Sequence, residues 1–553
     1  MTAGFRFLPS VTVLVLAGPV LAGLVGTLVP ALSERGAAFR ELAAWPGLEA
    51  AVRLSLVTGI VATALSLLIA TALTAGWWGT RAFRMVERLL SPLLSVPHAA
   101  AAFGLAFLIA PSGWMARMLS PWATGWERPP DLLIVQDPAG WSLIAGLVAK
   151  ETPFLLLMTL AALPQAAPGR SLSVAQSLGY GRVAGWLKVV FPRVYAQIRL
   201  PVYVVLAYSM SVVDVALILG PSTPPTLSVQ ITRWMSDPDL SLRHQAAAAA
   251  LLQLGLVVLA LGAWRLAEIG VARAGRAWVW GGQRRLAERS VRSVALVAGI
   301  ALAAVVVIGL LGLALWSVAG FWSFPAAWPD ALTGRTWTRH AADIHAAFAD
   351  TALIACLATG LALTLVIGCL EVEHRHGLRL RRGGGAILYL PLLVPQTVFL
   401  PGLASHLIWI GWNPGMCPVI LAHLVFVLPY VFLSLGDSWR AWDIRFATAA
   451  AALGAGPARV LFFVRLPMLI RPVLTAAAVG IAVSVSQYLP TLLVGGGRIA
   501  TLTTEAVALG AGGDRRAIGA WGLVQTAAAL LPFAVALFVP VILARSRRGL
   551  QGG

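Results

Sequence analysis

The sequence predicts an all-α polytopic membrane protein of about twelve transmembrane helices, in two parallel six-helix repeats with one short surface helix in each. Three observations carry that reading. The chain is 59% hydrophobic and only 11% charged, with a mean hydropathy of +0.84, whereas soluble proteins carry roughly 25% charged residues. Apolar runs of about 20 residues recur, the length a helix needs to cross a bilayer, and they are continuous, unlike the alternating segments of a barrel strand. Finally, features of the first half return in the second at fixed offsets.

Taken in order, the apolar runs give spans at about 7–30, 50–76, 89–110, 141–163, 199–220 and 246–266. A second set follows at 294–317, 348–370, 386–409, 416–435, 472–494 and 517–544. The first run is longer than a signal-peptide core and lacks a small-residue cleavage site, so it is expected to remain as a span. Basic connections are expected at 77–88, 267–292 and 371–385, and loops on the opposite side at 31–47, 111–140, 226–245 and 501–516. The expected organisation is a leading helix and loop at 1–48, a first domain at 49–268, a linker with the seventh span at 269–347, a second domain at 348–545, and a basic tail at 546–553.

An offset of 275 residues runs without a gap over 179–226. It pairs Gly179 with Gly454, Pro192 with Pro467, Ser211 with Ser486, Gly220 with Gly495 and Thr226 with Thr501. Earlier in the chain an offset of 298 pairs Pro97 with Pro395, Gly104 with Gly402 and Trp114 with Trp412. Parallel repeats of this kind can enclose a pathway at their shared interface.

The formal charge of +19 follows from this topology rather than from a nucleic-acid surface. Lys and Arg concentrate on the side that holds both termini, the positive-inside bias, which places the termini in the cytoplasm. The bilayer is the expected partner, and nucleic acid is not. Cys356, Cys369 and Cys417 have no metal-ligand spacing and read as small buried hydrophobes, so no metal site is expected.

The segment Ser173-Val174-Ala175-Gln176-Ser177-Leu178-Gly179 returns as Thr448-Ala449-Ala450-Ala451-Ala452-Leu453-Gly454, in each case with Pro thirteen residues after the Gly. Small helix formers make a short helix, Gly allows a tight bend, Pro is expected to end the unit before the next span, and an apolar stripe can enter a partner's groove. The spacing of Gly, nine residues, aliphatic, any residue, aliphatic and Pro resembles the EAA signature in the cytoplasmic loop of ABC importer permeases. Phe191 stands in for one aliphatic in the first copy. The leading acid of that signature is replaced by Ser173 and Thr448, both good N-caps, which are expected to start the helices.

The resemblance covers most of 49–268 and 348–545 and is to the double-length permeases, in which two usually separate subunits are fused, as in thiamine and iron(III) importers. Pro97-His98-Ala99-Ala100, Pro111-Ser112-Gly113-Trp114 and Thr501-Leu502-Thr503-Thr504 resemble segments of the YnjC-type permeases. It implies a permease in the bacterial inner membrane, coupled to a dimer of ATP-binding subunits and served by a periplasmic or extracellular solute-binding protein. Ser173, Ala175, Gly179, Pro192, Thr448, Ala450, Gly454 and Pro467 are then the ATPase-coupling residues. The direction, import, rests on the resemblance.

The residues independently place ATP hydrolysis on another chain. A P-loop needs Gly-Lys-Ser/Thr, and the two lysines, Lys150 and Lys188, sit in Ala-Lys-Glu and Leu-Lys-Val. No catalytic constellation is recognisable and no cofactor is expected on this chain, ATP being used by the partner. His374 and His376 flank Arg375 in a basic loop and read as solvated.

Asp214 falls within the fifth span, and intramembrane carboxylates usually face a bundle interior or a watery path. With Ser211 and the second-half counterparts Ser486, Gln487 and Tyr488, it is the candidate lining of a translocation path; a helix-packing hydrogen-bond cluster is the alternative. Lys150 and Glu151 are adjacent, so on a helix they diverge; pairing of either with a neighbouring span is the expectation, and substrate contact is the alternative. His98, His406 and His423 are expected at packing or interface positions. An ion-gradient-driven carrier with two parallel six-helix halves also fits the span count, but needs no paired docking helices.

Overall fold

The computed structural model describes residues 7–376 and 382–544. The basic tail at 546–553 and part of the 371–385 connection lie outside the described residues. Ten described helices are long and apolar enough to cross a membrane, or twelve when each of two bent pairs counts as one span. The other regular feature among the described residues is one isolated β-bridge, Ala319–Leu332. Helices dominate because each satisfies its own backbone hydrogen bonds, which a bilayer cannot do.

The uninterrupted spans follow the expected order, with Leu48–Trp77, Trp141–Ala166, Leu242–Trp280, Glu288–Ser317, Arg335–His376, Met416–Arg440 and Arg515–Ala544 among them. Others depart from expectation, and proline explains two of them. The expected third span, 89–110, is divided into Arg81–Leu93 and His98–Ile109, and the ninth into Ile387–Leu393 and Gln396–Trp409, bent by 99°. Pro97 and Pro395 stand at the two breaks with nearly the same backbone, φ −56 ψ 144 and φ −55 ψ 135. Proline has no N–H to continue the ladder and pushes the preceding residue out of the helical region.

The fifth span ends as Phe191–Ser211, and Asp214–Leu219 resumes it as a separate short helix. Its second-half counterpart, Ile470–Val485, is followed by a π turn at Pro490–Val494. A 78° bend precedes Ile470. Pro472, where the first half has Gln197, cannot donate back across that bend and sits in the first helical turn, where its missing N–H has no intrahelical partner to lose.

Four expected connections are structured. The 77–88 connection enters Arg81–Leu93, capped by Thr80, whose hydroxyl accepts the Phe83 N–H. The 267–292 linker is helical up to Trp280. The stretches 226–245 and 501–516 contain Leu227–Met235 and Leu502–Gly512, whose inner faces are buried. Each is anchored alike: the Leu227 N–H donates to Ser55 Oγ (3.1 Å) and the Leu502 N–H to Thr351 Oγ1 (3.0 Å).

The halves are joined by crossed helices. The leading helix Leu8–Leu32 lies against Gln396–Trp409 of the second half, while Glu288–Ser317 lies against His98–Ile109 of the first. Both contacts are backbone to backbone. A Cβ on Gly402 would fall 2.0 Å from the Gly23 carbonyl oxygen, and one on Gly104 would fall 2.9 Å from the Gly309 carbonyl carbon. Thr27 Oγ1 donates to the Val398 carbonyl at 2.6 Å beside the first contact. Lipid tails are as apolar as Leu, so close packing of small residues and interhelical hydrogen bonds must hold such helices together. The largest apolar cluster accordingly draws on both halves, including Val20, Phe103, Leu147, Leu313, Phe399, Val425 and Trp521.

Gly402→Ala is therefore expected to destabilise the chain by about 1–3 kcal/mol through overpacking. Gly360→Ala, in a helix where an added Cβ meets nothing within 4 Å, is expected to be neutral or to stabilise by up to about 1 kcal/mol. Thermal unfolding of the two variants in one detergent checks the opposite signs.

Candidate functional site: paired surface helices and an interior polar cluster

The first surface unit comprises Pro168–Ser177, the four-residue helix Arg182–Gly185 and a π turn, Trp186–Val190, leading into Phe191–Ser211. The second comprises Arg445–Ala452, Pro457–Val460 and a π turn, Leu461–Arg465. Apart from the first residue of the leading helix, these boundaries recur at the 275-residue offset. In both, the leading helix closes in a Schellman turn: the Gly179 and Tyr180 N–H groups donate to Gln176 O (2.9 Å) and Ala175 O (3.1 Å), and those of Gly454 and Ala455 to Ala451 O (2.9 Å) and Ala450 O (3.0 Å). Gly179 and Gly454 have φ +83 and +82, the left-handed conformation that glycine adopts without a Cβ penalty.

The structure corrects two expectations about these units. Ser173 and Thr448 do not start the helices. They lie mid-helix and back-bond, Ser173 Oγ to Gly169 O at 2.9 Å and Thr448 Oγ1 to Ile444 O at 3.4 Å. Pro168 occupies the first helical turn of one unit, where proline loses no hydrogen bond. In the other, Asp443 accepts the Arg445 N–H at 2.9 Å and pairs with its guanidinium. Nor do Pro192 and Pro467 end the units. Each follows a π turn in which the chain remains helical, so its missing N–H falls where the hydrogen-bond register is already shifted.

Each unit presents an apolar tip. Leu178 is 60% and Leu453 89% exposed, beside exposed Val174 and Phe446. Ala175 is buried against Gly185 and Leu172, whereas its counterpart Ala450 is half-buried on a helix with no buried residue.

The two units are braced differently. The first is tied to the linker and to Glu288–Ser317. The Gly181 N–H donates to Arg284 O (2.7 Å), Lys188 Nζ to Trp278 O (3.0 Å) and Gln283 O (2.7 Å), and the Glu288 carboxylate accepts the Val183 (2.9 Å) and Ala184 (3.2 Å) N–H groups. The second is tied to Arg335–His376 by a buried ion pair, Arg465 Nη1 to Glu371 Oε2 at 3.0 Å. Arg465 also donates to Trp439 O and stacks on Trp439 and Trp442, and Glu371 accepts Arg375 as well. The position 275 residues before Arg465 is Val190, which lies in an apolar cluster.

A second constellation lies inside the bundle. The Pro97 break frees backbone carbonyls, and Lys150 Nζ donates to three of them, Leu93 O (2.8 Å), Leu94 O (3.3 Å) and Val96 O (2.6 Å). Glu151 points away, toward His98, with Oε1 3.4 Å from Nε2. His98 packs on Tyr208 with ring centroids 5.1 Å apart. Asp214 is within electrostatic range of His98, Tyr208 and, across the interface between halves, Tyr488. Tyr430 of the second half lies within range of Glu151.

Of the expected path residues, the structure brings Asp214 and Tyr488 together. The Ser211 and Ser486 hydroxyls donate to carbonyls of their own helices, Ala207 O (2.7 Å) and Ala482 O (2.8 Å), and Gln487 is half-buried. His98, Glu151, Tyr208 and Tyr430 were not singled out as path residues. Only the Lys150-Glu151 divergence signalled them, because the tyrosines carry no local pattern. His423 is a packing residue, bridging Ser484 (2.8 Å) and Thr491 (2.9 Å).

A helical bundle whose halves meet around a polar interior, with paired short helices emerging at equivalent places, defines a membrane transport permease. The chain belongs to the ABC transporter permease family. It is 32% identical to the inner membrane ABC transporter permease protein YnjC of Escherichia coli (strain K12), over 99% of this chain and 98% of that one. Shorter stretches match the putrescine transport system permease protein PotI of E. coli (strain K12), at 27% identity over 27% of this chain and 56% of PotI. The molybdenum transport system permease protein ModB of Mycobacterium tuberculosis is 27% identical over 32% of this chain and 68% of its own. No family model and no solved structure matches. The chain is thus a multi-pass inner-membrane permease subunit of an ABC import system.

Glu371→Gln is expected to leave Arg465 partly uncompensated and to destabilise by about 3–5 kcal/mol. The double change Glu371→Leu with Arg465→Val, which replaces the buried ion pair by apolar side chains, is expected to recover most of the loss. Unfolding temperatures of the single and double variants decide it.

Proposed function

We propose that the two surface units are docking points for the two subunits of a separate ATPase dimer, so that one chain supplies both. The observation that carries this reading is the repetition of one local structure: an exposed Leu, a left-handed Gly and a π turn in the same register, once in each half. An apolar tip on a short helix suits a groove in a soluble partner. A carrier driven by an ion gradient would have no use for two of them.

In this reading both termini are cytoplasmic, the two domains at 49–268 and 348–545 are parallel repeats, and a solute-binding protein delivers substrate to the opposite face. ATP closes the ATPase dimer and draws the docking units together, and the halves rock between inward and outward states. Ser173, Ala175, Gly179 and Pro192, with Thr448, Ala450, Gly454 and Pro467, form the coupling units. Ser211, Asp214, Ser486, Gln487 and Tyr488 line the path, and His98, Glu151, Tyr208 and Tyr430 join them. The names of the relatives speak of putrescine and of molybdenum, two unlike solutes, and assign no substrate to this chain.

The double variant Gly179→Glu with Gly454→Glu is expected to lose co-purification with the ATPase and to abolish uptake. Gly179→Asn with Gly454→Asn, which tolerates the left-handed backbone, is expected to retain most of both. Wild-type uptake and complex formation by the Glu double variant would reject the docking assignment.

A further inference from the structure

The interior cluster is chemically one-sided. Two carboxylates, Glu151 and Asp214, are brought into it by separate helices, and each residue is over nine-tenths buried, Glu151 at 5% and Asp214 at 8% exposure. The nearby lysine does not neutralise them through a direct ion pair, since the Lys150 ammonium is taken up by the carbonyls of Leu93, Leu94 and Val96. Among the described residues the one titratable side chain within 4 Å of the Glu151 carboxylate is His98, with Nε2 3.4 Å from Oε1. Asp214 has none: among the described residues no side chain forms an ion pair or hydrogen bond with its carboxylate, which accepts backbone N–H groups at the start of a short helix and lies within electrostatic range of His98, Tyr208 and Tyr488. A carboxylate kept without a side-chain partner in a membrane interior favours a cation beside it.

The remaining members define which cation. Tyr208, Tyr430 and Tyr488 are each half-buried, keeping part of their surface open, and they come from both halves. Their rings offer the electron-rich faces that attract organic ammonium groups, and their hydroxyls add acceptors. A bare metal ion is less suited, because hard cations take six or more oxygen ligands and zinc takes four. No group of three His, Cys, Asp or Glu side chains among the described residues is placed to hold one. The repeat positions sharpen the point: Val213, Val483 and Leu489 stand where the opposite half has Tyr488, Tyr208 and Asp214. The cluster is a single site at the interface between halves, not a repeated structural tie.

We propose that this permease carries an organic cation, an aliphatic amine bound with its ammonium groups against Asp214 and Glu151 and its chain against Tyr208, Tyr430 and Tyr488. The proposal rests on the reading of the interior as the translocation path.

Binding of 1,5-diaminopentane to the purified full-length chain in nanodiscs, by isothermal titration calorimetry, tests it, with 1,5-pentanediol, glutarate and manganese chloride as probes of matched length or opposite chemistry. The diamine is expected to bind and the diol and glutarate not to. Asp214→Asn and Glu151→Gln are each expected to weaken diamine binding at least tenfold, and Asp214→Glu to retain most of it. Should Asp214→Asn not yield a monodisperse protein, Glu151→Gln and Tyr488→Leu carry the same expectation. Equal binding of glutarate, tighter binding of manganese, unchanged diamine affinity in the carboxylate variants, or no diamine binding at millimolar concentration would each overturn the proposal. The assay needs no ATPase, so its failure leaves the docking reading intact, and loss of docking in the glycine variants leaves diamine binding unchanged.

Discussion

The architecture depends on two backbone-to-backbone helix crossings, Gly402 on Gly23 and Gly104 on Gly309. In each, a helix from outside a repeat packs on the equivalent helix of the opposite half, at the glycine that the 298-residue offset pairs. No side chain intervenes, so the helices approach as closely as their backbones permit, and dispersion and interhelical polar contacts can act where the hydrophobic effect supplies little. The halves are clasped rather than merely adjacent. On this scaffold Asp214 and Tyr488, from opposite halves, come within electrostatic range of each other.

The same scaffold connects the surface units to the interior. Glu288 holds the first unit and begins the helix Glu288–Ser317, which makes the Gly104 crossing. Glu371 holds the second unit near the end of the 42-residue helix Arg335–His376. A displacement at either unit is therefore delivered to a continuous helix with a hydrogen-bonded backbone. That the first unit is braced through backbone amides and the linker, and the second through a buried ion pair, shows two chemistries meeting one geometric requirement. A buried pair of this kind is weak evidence for stability but strongly position-specific.

Much of this was legible in the sequence, and where it was not the reason is physical. The apolar spans and the left-handed turns at Gly179 and Gly454 follow from long apolar runs and from a residue type fixed at one spacing, signals that survive without tertiary context. The breaks at Pro97 and Pro395 leave no mark in the hydropathy, which is blind to a lost N–H when the flanking residues remain apolar. Ser173 and Thr448 are good caps by type, but Pro168 and Asp443 lie earlier and start the helices first. Lys150 and Glu151 diverged as adjacent helical residues must, yet only the fold shows that one fills carbonyls freed by a proline while the other enters the polar cluster. Tyr208 and Tyr430 left no trace in the pattern, since a lone tyrosine in an apolar run is equally at home in a core.

The central claim is that a single chain carries both docking points. Native mass spectrometry of the chain co-purified with its ATP-binding subunit measures this directly. One permease chain with two ATPase subunits is the expected assembly; two permease chains bound to two ATPase subunits, or one chain bound to one, would contradict it.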